Sequence, residues 1–94
     1  MDERARQDAL RLLRAAKNIF AEQHGNNDEW FWAGTSVDLV AAGERVGMPV
    51  GWPDHDDAVR WLESENAIEA AELTRNVFGG KFYLVTAHGV ELVR

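Results

Sequence analysis

Residues 52–66 read WPDHDDAVRWLESEN, and the spacing of the apolar residues in this stretch decides its structure. Apolar positions that recur at three- and four-residue intervals give an α-helix one buried face. Aspartate is a favoured N-cap residue, so we place the cap at Asp54 and the helix at about 55–66. The apolar face of this predicted helix consists of Ala58, Val59, Trp61 and Leu62.

The period changes from helical to alternating directly after this helix. Residues 67–86 read AIEAAELTRNVFGGKFYLVT, in which two strand-like runs flank Gly79 and Gly80. This pattern predicts a β-hairpin over about 68–86. The closing TAHGVELVR is compatible with a short final helix capped by Thr86, and also with a terminal strand.

Two further helices are predicted upstream. Residues 3–23 carry apolar positions at helical spacing and predict a long first helix. The segment EWFWAGTS follows, and its aromatic residues are compatible with a first strand or with an aromatic plug. Thr35 or Ser36 is then placed to cap a second helix at about 36–46. The chain is therefore predicted to be one α+β domain over 1–94, with three core helices and a C-terminal hairpin.

The C-terminal third of the chain carries a recognisable pattern of spaced residues. These residues are Leu62 and Ile68, followed by Tyr83, Leu84, Val85, Thr86, Gly89 and Leu92. The pattern resembles winged-helix (winged helix-turn-helix) domains of bacterial and archaeal type. In many of those regulators a helix ends L-x-x-x-x-x-I, a two-stranded wing follows, and the chain closes with Y-x-L-T-x-x-G-x-x-L or a close variant. The Leu-Thr pair of that family pattern appears here as Val85-Thr86, which directly follows Tyr83-Leu84. The resemblance spans most of the chain and implies the winged-helix fold.

The net charge of −6 is concentrated in the middle of the chain. Residues 24–75 hold three arginines against eleven acidic residues, whereas the flanking segments are close to neutral. An acidic balance argues against nucleic acid and anionic membranes as partners. The excess of eight arginines over two lysines is also typical of a GC-rich or salt-adapted source, in which an acidic surface serves solvation.

The outward side of the third helix is the candidate binding site. Acidic residues in a first turn are explained by capping and by the helix dipole, yet they leave this side unsuited to phosphate contacts. Tryptophan is enriched in protein-contact hot spots, and one precedes the helix in a Gly/Pro-rich connector. We therefore predict a non-catalytic regulatory or protein-interaction module. Its predicted binding residues are Trp52, Asp54, Asp56, Asp57, Arg60 and Glu63.

The alternative is a DNA-binding transcriptional regulator, which the resemblance implies. The reading residues of the third helix would come from Asp54, His55, Asp56, Asp57 and Arg60, of which Arg60 is the basic one. The wing would contribute basic and amide side chains. A second cationic patch on the first helix is either a solvated surface or a contact for an anion or an acidic partner. Many winged-helix proteins bind DNA as dimers, and Leu10 is placed to join a homodimer. The wing residues are Arg75, Asn76 and Lys81, and the patch is Arg4, Arg11 and Arg14.

No catalytic, cofactor or metal site is predicted. The absence of cysteine removes disulfides, thiolate ligands and cysteine nucleophiles. The histidines His24, His55 and His88 lie in separate elements without metal-ligand spacing, so we expect them in loops or at the surface. No stretch approaches the ~20 apolar residues that span a bilayer. We expect a cytoplasmic protein with no enzyme activity, for which a protein partner is favoured over nucleic acid.

Overall fold

The computed structural model describes residues 3–25, 31, 33–70 and 82–94, and these form four helices and three strands. The chain is thus α+β, as predicted. Within the described ranges, no helix is long and apolar enough to cross a membrane. In chain order the elements are α1 (Glu3–Gln23), β1 (Ser36–Asp38), α2 (Leu39–Arg45), α3 (Pro53–Ser64), β2 (Ile68–Ala70), β3 (Phe82–Val85) and α4 (Ala87–Leu92).

The three strands form one antiparallel sheet in the order β1-β3-β2. Val37 of β1 pairs with Tyr83 of β3, and Ile68 of β2 pairs with Val85 of β3. The pairing of β2 with β3 is the one expected of the hairpin, although the predicted turn at Gly79 lies outside the described residues. In the sheet, β3 therefore lies between β1 and β2 and pairs with both.

The core lies where α1 packs across α2 and α3. Leu12 and Leu13 of α1, Leu39 of α2 and Leu62 of α3 are fully buried. Each such side chain contributes about 1.5–3 kcal/mol by leaving water. Because α1 contacts both shorter helices, it fixes the side of α3 that remains exposed.

The start of the second helix differs from the prediction. Ser36 begins a strand, and α2 begins only at Leu39. The cap is Asp38, whose carboxylate accepts hydrogen bonds from the backbone N–H of Val40 at 3.0 Å and of Ala41 at 3.2 Å. Neither Thr35 nor Ser36 caps a helix, because pairing with β3 holds these residues extended. Of the aromatic run upstream, the described Phe31 is buried in the core and lies outside the strands, whereas Trp30 and Trp32 lie outside the described residues.

The third helix begins and ends two residues earlier than predicted, and Asp54 is not its cap. The capping position is Trp52, which makes no side-chain cap hydrogen bond, and Pro53 occupies the first helical turn. Proline suits that place because its fixed φ is helical and it lacks only an N–H that would be unpaired there. At the other end Asn66 adopts a left-handed φ of 60°, and the N–H of Ala67 bonds to a carbonyl of the last turn.

The final segment is a helix, α4, and Thr86 caps it as predicted. The Thr86 hydroxyl accepts from the N–H of Gly89 at 3.1 Å and donates to the carbonyl oxygen of Asn66 at 2.6 Å. Gly89 is buried against the backbone of Ala67, where a Cβ would collide with the Ala67 carbonyl oxygen. The motif that ends the chain thus packs α4 onto the turn between α3 and β2.

Candidate functional site

The side of α3 that faces away from α1 is acidic and exposed. Asp56, Asp57, Arg60 and Glu63 are all exposed, and we call this surface the acidic face. Arg60 pairs with Asp57 at 3.9 Å, three residues earlier on the same helix. Among the described residues, neither Asp56 nor Glu63 lies in an ion pair. Within the described ranges, the acidic face therefore has two carboxylates without a cationic partner.

Trp52 lies at the N-terminal end of this face and is exposed. Its exposed fraction is 56%, and Val50, two residues earlier, is 42% exposed. These are the large apolar side chains that the described part of the chain leaves in solvent. The connector turns tightly here, with the Trp52 N–H bonded to the Pro49 carbonyl oxygen at 3.2 Å and Gly51 at a φ of 93°. An apolar patch thus borders the acidic face.

Asp54 serves a different role from the other acids. Its carboxylate lies 3.6 Å from the guanidinium of Arg4, so it connects the start of α3 to the start of α1. Asp54 and Asp56 occupy the first turn of α3, where negative charge complements the helix dipole. Asp57 lies beyond that turn. We therefore place Asp54 outside the acidic face.

His55 is buried, contrary to the expectation of a surface histidine. Its exposed fraction is 1%, and its Nδ1 bonds to the Met48 carbonyl oxygen at 3.0 Å. Nε2 is also buried and has no hydrogen-bond partner among the described residues. His55 lies four residues before Val59 and seven before Leu62, so helical spacing on the apolar face was the signal for its burial. His24 and His88 are exposed, as expected.

An open cavity of about 250 Å³ lies between the acidic face and β3. Its lining residues are His55, Asp56, Val59, Arg60, Glu63 and Tyr83. Burial raises the pKa of the Tyr83 phenol, and the negative charges of Glu63 and Asp56 raise it further. In the sequence, Tyr83 stands out only as part of the spaced pattern that resembles winged-helix domains. Its proximity to α3 comes from the packing of β3 and had no local signal.

In the second cationic patch, two of the three arginines form ion pairs or hydrogen bonds within the molecule. Arg4 and Arg11 flank Asp8, at 4.0 Å and 3.4 Å, and Arg11 also donates to the Val46 carbonyl oxygen at 3.0 Å. Arg14 is exposed on the same helix. Leu10, the candidate dimer contact, is half-buried, and a homodimer stays a prediction.

The residues predicted for a DNA-binding wing lie outside the described residues; they are Arg75, Asn76 and Lys81. Of the nucleic-acid set, Arg60 alone falls in the described part, and it is paired with Asp57. Within the same part of the chain, no group of three or more His, Asp or Glu side chains is arranged to hold a metal ion.

Comparison with known proteins adds no family. No protein-family model matches the chain, and neither a curated protein nor a solved structure matches it.

Proposed function

We propose that this chain is a non-catalytic winged-helix module that binds a partner protein through the acidic face of α3 and Trp52. The element order and the sheet order β1-β3-β2 are compatible with a winged-helix-like fold. The spaced residues from Leu62 to Leu92 support the same proposal. A fold alone carries no function, so the proposal of binding rests on the surface of α3.

The observation that carries the proposal is the junction of charge and exposed aromatic surface. Asp56 and Glu63 lack ion pairs in the described chain, and Trp52 is exposed beside them. Interfaces commonly combine a buried aromatic anchor with a charged rim, and complementary charge steers the encounter. The partner that fits is a basic protein segment with an apolar residue that covers Trp52.

The same surface is poorly suited to DNA. Phosphate contacts require lysine, arginine or neutral donors, and each neutralised phosphate releases counterions that drive binding. The acidic face offers Arg60, already paired with Asp57, and three carboxylates. Charge repulsion would therefore oppose the docking of α3 in a major groove.

Selection from a random-peptide phage library tests the proposal, because such a selection needs no identified partner. We expect the immobilised protein to enrich peptides that combine arginine or lysine with a large apolar residue. The Trp52→Ala variant should not enrich them, whereas Glu44→Ala, which removes an exposed side chain from α2, should. Enrichment by the Trp52→Ala variant of the same peptides would contradict the proposal.

DNA binding is the second candidate, and the observation that favours it is the winged-helix-like arrangement of the elements. Fluorescence anisotropy of labelled mixed-sequence duplex DNA at low and moderate salt discriminates between the candidates. Binding that weakens steeply with salt would favour DNA. The cationic surface would then be located by substitution of Arg4, Arg11, Arg14 and Lys81.

A further inference from the structure

The connector between α2 and α3, residues 46–52, carries the exposed side chain of Trp52. It contains two glycines with a positive φ, Gly47 at 75° and Gly51 at 93°. Glycine has the widest choice of backbone conformations, so a segment with two glycines has alternatives to the observed path. The position of Trp52 therefore depends on contacts that neighbouring elements make with the connector.

One of these contacts comes from α1. Nη2 of Arg11 donates a hydrogen bond to the carbonyl oxygen of Val46 at 3.0 Å. Val46 is the C-cap of α2, and the carbonyl groups at a helix end lack partners within the helix. A cation at this end also complements the helix dipole. Arg11 thus binds the point at which α2 ends and the connector begins.

A series of ion pairs on α1 extends from Arg11 to the other end of the connector. Nη1 of Arg11 lies 3.4 Å from the carboxylate of Asp8, which also lies 4.0 Å from Arg4. Arg4 in turn lies 3.6 Å from Asp54, in the first turn of α3. The Asp8 side chain is 14% exposed, so salt screens its charge less than that of a fully exposed group. Side chains of α1 therefore contact both ends of the connector.

We propose that Arg11 is a positioning residue for Trp52, and that partner binding weakens when its contact with the connector is lost. This inference rests on the proposed function and adds a residue outside the acidic face on which the same site depends. A guanidinium suits the role, because its planar set of five N–H donors can serve a carbonyl oxygen and a carboxylate at the same time.

Amide hydrogen exchange of the free protein tests the contact with the connector. The N–H of Met48 bonds to the Gly43 carbonyl oxygen at 2.7 Å. The N–H of Trp52 bonds to the Pro49 carbonyl oxygen at 3.2 Å, so both amides report local opening of the connector. In Arg11→Met, which removes the donors, exchange at both should be about two- to tenfold faster, the range expected for one lost hydrogen bond. Unchanged exchange at either amide would overturn the inference.

Reference amides and a matched variant separate positioning from a general loss of stability. The N–H groups of Ala67 and Thr86 form hydrogen bonds at the other end of α3, and their exchange should not change in Arg11→Met. An equal acceleration at these amides would overturn the positioning role. Arg6→Met is the matched variant, because Arg6, like Arg11, pairs with an acid three residues earlier on α1. It should leave the exchange of the connector amides unchanged.

The affinity of a selected basic peptide gives a second measurement, in which charge and position act in opposite directions. Arg11→Met removes a positive charge, so electrostatics alone would leave the affinity for a basic peptide equal or higher. A smaller fraction of the binding-competent connector should instead raise the dissociation constant about twofold or more. Arg6→Met makes the same charge change and should not weaken binding. Equal or tighter binding by Arg11→Met would overturn the inference.

The inference and the proposed function fail in different ways. If selected peptides require Trp52 but Arg11→Met leaves their affinity unchanged, the interface stands and the role of Arg11 falls. If the connector amides exchange faster in Arg11→Met but selected peptides do not require Trp52, Arg11 restrains the connector and the proposed interface falls.

Discussion

The imidazole of His55 and the carbonyl oxygen of Met48 are joined by a 3.0 Å hydrogen bond inside the core. This bond connects the start of α3 to the loop that follows α2. Gly43 lies directly beneath it, and an added Cβ would stand 2.7 Å from His55 Nδ1 and would also collide with the Met48 carbonyl oxygen. Close contacts among Gly43, Met48 and His55 therefore fix the position of the connector that carries Trp52.

Gly43→Ala should destabilise the protein even though alanine is the better helix former. The gain in helix propensity is about 1 kcal/mol, whereas overpacking at a closed site costs about 1–3 kcal/mol. We expect a net loss of about 1 kcal/mol by this balance, measured by urea unfolding. Glu44→Ala, at the next and exposed position, should change stability little. An unfolding midpoint for Gly43→Ala at or above that of the unsubstituted protein would contradict the close packing.

Asp38→Ala should cost about 1 kcal/mol, because it removes the acceptor for two N–H groups at the start of α2. Asp38→Asn should retain most of that stability, since asparagine caps equally well. Ser36→Ala replaces one of the two residues, Thr35 and Ser36, that were predicted as the cap, and its effect should be small. Chemical denaturation of the three variants decides between the caps, and a greater loss for Ser36→Ala than for Asp38→Ala would refute the observed one.

Alkaline pH should destabilise the protein through Tyr83. The pKa of its phenol is raised in the folded state by burial and by Glu63 and Asp56. Its contribution to stability is complete below the ordinary tyrosine pKa of about 10. As pH rises from there through the folded value, the unfolded chain ionises first, and this contribution is lost.

Tyr83 is the one tyrosine in the sequence, so ultraviolet absorbance reads its titration directly. Glu63→Gln removes one of the negative charges that raise this pKa and should move it down toward its ordinary value. Asp57→Asn should leave it in place, because Asp57 does not line the cavity. A Tyr83 pKa that is insensitive to Glu63→Gln would mean that the two walls of the cavity are further apart than the structure has them.

Glu22 and Arg45 join the ends of α1 and α2 through paired hydrogen bonds of 2.6 and 2.9 Å. These bonds hold the pKa of the Glu22 carboxyl below its usual value of 4.5, against an opposing effect of desolvation and with a lesser contribution from the positive charge of Arg45. The stabilising contribution of the pair is therefore present above that value and is lost as pH falls through the folded pKa.

Arg45→Met should raise the pKa of Glu22 toward its usual value, as followed by NMR titration of the side-chain carboxyl. Arg6→Met serves as the control, since Arg6 pairs with Glu3 at the other end of α1. If both variants leave the Glu22 pKa where it was, the pairing with Arg45 does not persist in solution.

Local sequence predicted the features that depend on neighbouring residues. The apolar spacing of α3, the Thr86 cap and the strands on either side of the hairpin all follow from residues close together in the chain. The start of α2 was wrong because Ser36 is held in a strand by Leu84, a partner far away in sequence. Local sequence propensity contains no information on a partner so distant in the chain. It could therefore not show that Ser36 would pair in a strand rather than cap a helix.

The negative charge of the acidic face could be predicted from the sequence, but the ion pairs and neighbouring elements around it could not. Helical spacing places Asp57 and Glu63 outward, and both are exposed. The pairing of Asp54 with Arg4 and the approach of Tyr83 to α3 depend on how whole elements pack. His55 was the avoidable error, because its position on the apolar face was visible in the spacing.

The most direct test of the proposed interface is the dissociation constant of one selected basic peptide, measured by fluorescence anisotropy for the unsubstituted protein and for Asp57→Lys. Asp57 is exposed and lies beyond the first turn of α3, and its ion-pair partner Arg60 belongs to the same face, so its reversal changes the charge of the acidic face. Glu44→Lys makes the same charge change on α2. We expect at least tenfold weaker binding for Asp57→Lys, equivalent to about 1.4 kcal/mol, and unchanged binding for Glu44→Lys. Equal affinity of the peptide for the unsubstituted protein and for Asp57→Lys would contradict the proposed interface.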